Sequence, residues 1–158
     1  MNVKTLLLMI SMNIFFNNLV VGAEEYNKHY IEEFTKIKDG DTVIARINLG
    51  YGISLTKEIR FADFDAWEIS HKREVSNDKI IITAAEIVKG QKAKDDLTKI
   101  IEENKDKFYL KINIVDQKPK YELEKYGRIL GKIYFIDKFG KEQYLSQVMK
   151  DLGHERSN

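Results

Sequence analysis

The stretch that decides the fold runs from Asp39 to Asp65 and reads DGDTVIARINLGYGISLTKEIRFADFD. It opens on Asp39-Gly40, a strong turn signal, because glycine accepts the positive φ that a tight reversal needs. The residues that follow alternate with a period of two, which predicts a half-buried strand. The apolar face of that strand consists of Val43, Ala45, Ile47 and Leu49. Gly50-Tyr51-Gly52 marks a hairpin, so the next strand, from about Ser54 to Phe64, should be its antiparallel neighbour.

A strand upstream and a helix downstream flank this hairpin. The upstream strand is expected from about Ile31. Thr83 and Glu86 form a capping-box pattern, which predicts the start of a helix. One stripe of this helix is mostly apolar and should pack on the sheet, with Gly90 permitting a close approach. The stripe consists of Ile87, Gly90, Ala93, Leu97, Ile100 and Ile101.

Two more strands and a last helix complete the predicted order. The strands are expected over 108–115 and 129–136, and a turn over 137–140 leads into the helix. Its core positions are Tyr144, Leu145, Val148, Met149 and Leu152. The segments 69–82 and 117–123 should be irregular, and the first is basic, so it either contacts a phosphate backbone or is a solvated loop. The order of three strands, helix, two strands and helix predicts one domain.

Composition suits a globular domain behind an export signal. The 158 residues are 43% hydrophobic and include no cysteine, which excludes disulfides and thiolate metal sites. Lys4 is the only charge in residues 1–23, and Val21-Gly22-Ala23 offers the small residues that a signal peptidase reads. We therefore expect a mature domain over 24–158, secreted to the periplasm or medium. An uncleaved membrane anchor is the alternative, although asparagines interrupt its apolar run.

Net charge does not predict polyanion binding. Without Lys4 the chain has equal numbers of acidic and basic residues when histidines are uncharged. Binding of DNA or RNA therefore requires a local basic site. We expect a monomer with no stable membrane association after signal cleavage.

Candidate chemistry concentrates where the second hairpin strand ends. Asp65 and Glu68 stand three residues apart, so one tight turn brings both carboxylates within reach of one cation. Arg60 joins them only if the strand ends or twists near Asp63, because odd spacing along a strand sends side chains to opposite faces. Antiparallel pairing carries Asp65 back toward Asp41. This predicts a metal-assisted phosphate site with three converging acids; a strand end that frays into a solvated loop is the alternative.

Several ordered stretches resemble the staphylococcal nuclease (thermonuclease) family. They are Asp39-Gly40-Asp41-Thr42, the run from Arg60 to Glu68, and Lys125-Tyr126-Gly127-Arg128 ahead of a strand. The similarity covers roughly Phe34 to Gly153, and ordered motifs are more specific than any one alone. It implies an OB-fold, a five-stranded β-barrel with packed α-helices (class α+β) that binds oligonucleotides on its strand face. It also implies a calcium-dependent phosphodiesterase that cleaves DNA and RNA and leaves 3′-phosphate ends.

The resemblance assigns a metal role to three residues and a water-activating role to one. Asp41 and Asp65 are similar to the carboxylate ligands of the Ca²⁺, and the backbone carbonyl of Ala66 to a further ligand. A side-chain change at Ala66 should matter little for that contact. Glu68 resembles the glutamate that orients or deprotonates the attacking water.

The resemblance also assigns phosphate contacts. Arg60 and Arg128 are similar to two phosphate-clamping arginines, and Lys125 and Tyr126 to contacts with a neighbouring phosphate. Arginine suits this task because its planar donors match two oxygens at once. Trp67 departs from the pattern, since the family usually has proline there. The alternatives are a catalytically inactive OB-fold module that binds nucleic acid or protein, and a secreted structural domain whose acids match by chance.

Overall fold

The computed structural model describes residues 28–70, 72–75, 78–81, 83–111, 113–115, 118–120 and 127–156. Its strands are β1 (Lys28–Ile37), β2 (Thr42–Gly50), β3 (Ile53–Phe61), β4 (Lys72–Val75), β5 (Asp78–Ile81), β6 (Phe108–Lys111), β7 (Asn113–Val115), β8 (Lys118–Lys120), β9 (Ile129–Ile136) and β10 (Glu142–Tyr144). Its helices are α1 (Ala84–Glu103) and α2 (Leu145–Asp151). The expected signal segment 1–23 and the start at Glu24 lie outside these residues.

Five strands close into a mixed barrel in the order β1, β2, β3, β9 and β6, with β6 returning to β1. Every neighbouring pair is antiparallel except β3 and β9, which are parallel. β10 adds a further strand to β9, while β4 with β5 and β7 with β8 form separate hairpins. The barrel with its packed helices confirms the predicted OB-type architecture. Within the described part of the chain, no helix has the length and apolarity needed to cross a membrane.

The hairpin of β2 and β3 has the predicted antiparallel pairing, with Thr42 opposite Arg60. Of the predicted apolar face, three residues lie inside the barrel and Leu49 is 38% exposed next to the hairpin turn. The barrel strands together supply the interior side chains Ile31, Val43, Ala45, Ile47, Ile59, Phe61, Phe108, Leu110, Ile129, Ile133 and Phe135. Alternation of inward apolar and outward polar residues therefore sets which groups face solvent.

Helix α1 begins as the sequence predicts. The Thr83 side chain accepts from the Glu86 amide, and the Glu86 side chain accepts from the Thr83 amide. Its buried face is Gly90, Ala93, Leu97 and Ile101. From α2, Leu145 and Met149 join the same core.

Several predicted boundaries were wrong. β3 ends at Phe61 rather than Phe64, because the chain turns through Ala62 and Asp63, where φ is 59°. Of the strand expected over 108–115, β6 covers Phe108–Lys111 and pairs with β1 and β9, whereas β7, Asn113–Val115, pairs with β8. β1 begins at Lys28 rather than near Ile31. The segment 69–82, expected to be irregular, contains the β4–β5 hairpin, and β8 lies within 117–123.

Candidate active site

Arg60 joins two aspartates at the open end of the β2–β3 hairpin, one just before β2 and one after β3. Its Nη1 donates to Asp41 Oδ1 at 3.1 Å, and its Nη2 donates to Asp65 Oδ1. The second contact exists because β3 ends at Phe61 and the turn at Asp63 brings Asp65 back to the side of Arg60. The condition that the strand must end or twist near Asp63 is met.

The Asp41 carboxylate is buried and fully engaged in hydrogen bonds. Its side chain is 5% exposed. Oδ1 accepts from the Thr42 hydroxyl at 2.7 Å as well as from Arg60, and Oδ2 accepts from the Ala66 amide at 2.9 Å. Burial raises the pKa of Asp41 to about 6, with a further rise from the Asp39 carboxylate; Arg60 and the two hydrogen bonds act in the opposite direction. Asp41 is therefore ionised at neutral pH, although its burial disfavours the charged form.

Gly40 has a different purpose from the one that the turn signal suggests. Its φ is not positive, so a left-handed backbone is not the reason for glycine. A Cβ at this position would lie 2.7 Å from Ala93 Cβ and 2.8 Å from Ala66 Cβ. Glycine is needed because α1 and the segment after β3 both press on this turn. The Ala66 methyl group is therefore part of a tight contact, and a larger side chain there would disturb the site even if the carbonyl were unaffected.

Gly90 confirms the predicted close approach of α1, and its partner is the segment that carries the candidate catalytic glutamate. A Cβ on Gly90 would lie 2.5 Å from the Trp67 carbonyl oxygen and closer still to that of Glu68. The helix backbone thus rests directly on residues 67 and 68. The position of Glu68, which is half-buried, depends on this contact.

Arg128 lies on the same outer face of the barrel as Arg60. It precedes β9, where Ile129 pairs with Ile59. Its Nη1 lies 3.7 Å from Glu58 Oε1, and Glu58 also accepts from Lys38 at 2.9 Å. Glu58 and Arg60 stand two residues apart on β3, so they share a face. Arg60 thus lies within the parallel β3–β9 pair, and Arg128 immediately precedes it.

The expected convergence of three acids is not observed. No three side chains among His, Asp and Glu cluster closely enough to hold a metal ion within the described ranges. Asp41 and Asp65 meet at Arg60, whereas the backbone that carries Glu68 is held against Gly90. Lys125 and Tyr126 lie outside the described residues.

A C-terminal strap supports the site, and the sequence analysis missed it. Residues 154–156 form this strap: Glu155 makes an isolated β-bridge to Ala66, and the Arg156 amide donates to the Asp65 carbonyl at 2.8 Å. His154, 4% exposed, anchors the strap to α1 through a 2.8 Å contact between its Nε2 and Asp96 Oδ2. A single β-bridge leaves no repeating sequence pattern that would predict it. The one sequence signal for the strap was a histidine after an apolar helix.

Comparison with known proteins does not name a family. The chain matches no known protein-family profile, and no curated protein sequence matches it. Function therefore has to be argued from the site itself. The two carboxylates offer only oxygen ligands, which hard cations prefer. The two guanidinium groups on the same face have the donor geometry to bind phosphate oxygens.

Proposed function

We propose that this chain is a secreted calcium-dependent nuclease that hydrolyses phosphodiester bonds of DNA and RNA and leaves 3′-phosphate ends. The observation that carries the proposal is the Arg60 guanidinium held between the Asp41 and Asp65 carboxylates. Two carboxylates and a guanidinium thus lie side by side on the face that also carries Arg128. The barrel is compatible with this chemistry, but the same fold hosts many other functions.

The side chains fit a calcium ion by their chemistry. Asp41 and Asp65 direct carboxylate oxygens at one guanidinium, so two negative charges already converge on a single positive group. Oxygen ligands without thiolate or imidazole favour hard cations. In the loaded protein, Asp41, Asp65 and the Ala66 carbonyl would hold the ion, which would supply positive charge beside the phosphate oxygens.

The remaining groups of the site have roles that follow from their donors. Arg60 and Arg128 donate hydrogen bonds to phosphate oxygens, whose negative charge grows as the displacement proceeds. Glu68 accepts a proton from the water that attacks phosphorus. The bond to the 5′ oxygen breaks, that oxygen takes up a proton from solvent and leaves as a 5′-hydroxyl, and the phosphate stays on the 3′ side.

A binding module without catalysis is the second candidate function. The observation in its favour is that no group of three His, Asp or Glu side chains able to hold a metal ion is formed among the described residues. An OB-type barrel binds single strands on its strand face without cleaving them.

A cleavage assay separates the two candidates. Purified protein is incubated with labelled single-stranded DNA and RNA, with calcium or with a calcium chelator, and the product ends are tested for phosphatase-sensitive 3′-phosphate. The nuclease proposal predicts calcium-dependent cleavage that Arg60→Ala abolishes. The control variant Arg46→Ala, which changes an arginine on β2, should still cleave. Binding of the oligonucleotide without cleavage in calcium would establish the second candidate instead.

A further inference from the structure

A pocket of about 330 Å³ opens beside the segment that follows Asp65. Trp67, Lys89 and Lys92 line one side, and Leu152, His154 and Glu155 line the other. It therefore lies between α1, the segment after β3 and the C-terminal strap. None of the side chains of Trp67, Lys89 and Lys92 has a role in the chemistry proposed above.

The first side of the pocket combines an aromatic face with two cations. Lys89 Nζ lies 4.3 Å from the centre of the Trp67 ring. Lys89 and Lys92 are three residues apart on α1, so both point to the same face of the helix. No carboxylate in the described part of the chain lies within ion-pair distance of either ammonium group. Both charges are available to an anion.

The other side of the pocket is held in place before any ligand arrives. His154 is fixed by its contact with Asp96, and Glu155 by its bridge to Ala66. The Glu155 carboxylate is paired with Lys150 at 2.8 Å. Its negative charge is thus compensated, and the pocket as a whole favours an anion.

We propose that this pocket binds one nucleotide unit of the nucleic-acid strand, with the base on the Trp67 ring and the phosphate on Lys89 and Lys92; this rests on the proposed function. Every base presents a π-face, and alternating aromatic and cationic groups are the means by which single strands are bound without sequence preference. The volume is at the lower end of the range typical of small-ligand pockets, about 300 to 1,000 Å³. On binding, the Lys89 ammonium moves from the ring face to the phosphate.

The position of the pocket makes it a subsite next to the cleaved bond. Trp67 follows Asp65 by two residues, so their Cα atoms are at most about 7.6 Å apart. A strand whose scissile phosphate lies at Arg60 and Asp65 can therefore place a neighbouring nucleotide against Trp67. The pocket would determine how firmly that flanking unit is held.

Trp67 is the only tryptophan of the chain, so its fluorescence reports on this pocket alone. The protein is titrated in chelator, which prevents cleavage, with single-stranded oligothymidylate of about ten nucleotides and with an abasic chain of equal length. We expect a saturable change in emission with the base-bearing strand and none with the abasic one. Anisotropy of a labelled strand should show that Trp67→Leu weakens binding about 5- to 150-fold.

Lysine variants provide a test that does not depend on replacing the half-buried tryptophan. The double variant Lys89→Ala/Lys92→Ala should bind with a shallower slope of log K against log salt concentration. The decrease should correspond to about one phosphate contact or more. Lys99→Ala removes one positive charge from the same helix, where Lys99 pairs with Glu103, and should leave the salt dependence unchanged.

Three outcomes would overturn the inference. A strand that binds and is cleaved, with Trp67 emission and Trp67→Leu affinity unchanged, refutes the pocket and leaves the nuclease proposal intact. Absence of both binding and cleavage refutes both. A change in emission with thymidine monophosphate but not with the strand would show that the occupant is a free nucleotide rather than a strand.

Discussion

The backbone amide of Ala66 donates a hydrogen bond to Oδ2 of Asp41 at 2.9 Å, across 25 positions of sequence. The other oxygen of the same carboxylate accepts from Arg60. Asp41 therefore both fixes the backbone after β3 and contributes charge to the site. Changes at Asp41 should alter shape and charge together, whereas changes at Asp65, whose side chain is 39% exposed, should alter mainly charge.

The stability of the calcium-free protein should depend on the ionisation of Asp41. The pKa is raised from 3.8 to about 6, so the folded protein binds more protons than the unfolded chain between these values. Stability attributable to this group is present below about pH 4 and is lost as pH rises to about 6. Relative to Asp41→Asn, the wild type should lose up to about 3 kcal/mol of unfolding free energy over this window.

Urea unfolding in chelator at pH 4.5 and pH 8 measures this difference. Asp95→Asn, an exposed change on α1, is the control and should show little of it. A constant difference between wild type and Asp41→Asn at the two pH values would contradict the assignment. Added calcium should stabilise the wild type more than the variant.

Gly90→Ala should destabilise the protein although alanine favours helices by about 1 kcal/mol. The added methyl group meets the carbonyl oxygens of Trp67 and Glu68, which are backbone atoms and cannot rotate away. Overpacking of this kind typically costs about 1 to 3 kcal/mol. Chemical denaturation gives the value, with the neighbouring exposed change Gln91→Ala as control. Unchanged or increased stability would show that the segment moves freely, and that α1 does not position Glu68.

Replacing either Arg60 or Arg128 by lysine should reduce turnover while the protein remains folded. Lysine retains the charge but loses the planar fork that spans two oxygens. The loss of one donor to the transition state typically lowers the rate about 100- to 1,000-fold. Cleavage rates in saturating calcium and thermal midpoints are measured together, with Arg46→Lys, paired with Glu32, as the matched control. Near wild-type rates in both site variants would show that neither Arg60 nor Arg128 clamps the phosphate.

Calcium titration should separate Glu68 from Asp65. Glu68→Gln should lose most of the rate yet bind calcium, because an amide is a poor base and the proposed calcium ligands are Asp41, Asp65 and the Ala66 carbonyl. Asp65→Ala removes a negative ligand, so excess calcium should restore part of its activity. Activity and thermal midpoint are followed against calcium concentration for each. Rescue of Glu68→Gln but not of Asp65→Ala would reverse the two roles.

Much of the fold could be predicted because its signals are local. The alternation from Val43 to Ile47 and the Thr83 capping box act within a few residues, and both are realised. The ends of elements depend on partners instead: β3 stops at Phe61, where its pairing with β9 also stops, although an apolar residue recurs at Phe64.

The site was predictable in part for the same reason. The contact between Arg60 and Asp65 follows from a turn inside one short run of sequence. The need for glycine at position 40 does not follow from any local pattern. The pattern around Gly40 indicates a reversal with positive φ, whereas the actual constraint comes from Ala93, more than fifty residues later. The bridge between Ala66 and Glu155 is likewise a contact between distant positions.

The C-terminal strap has a consequence for when the site can form during synthesis. A ribosome delivers Asp41, Arg60 and Asp65 early, but Glu155 and Arg156, which hold the Ala66 and Asp65 backbone, arrive more than eighty residues later. A nascent chain that ends before His154 lacks the anchor to Asp96 as well. The site would thus be assembled only after residues 154–156 have been made, so a partly synthesised chain would have little of the activity proposed above.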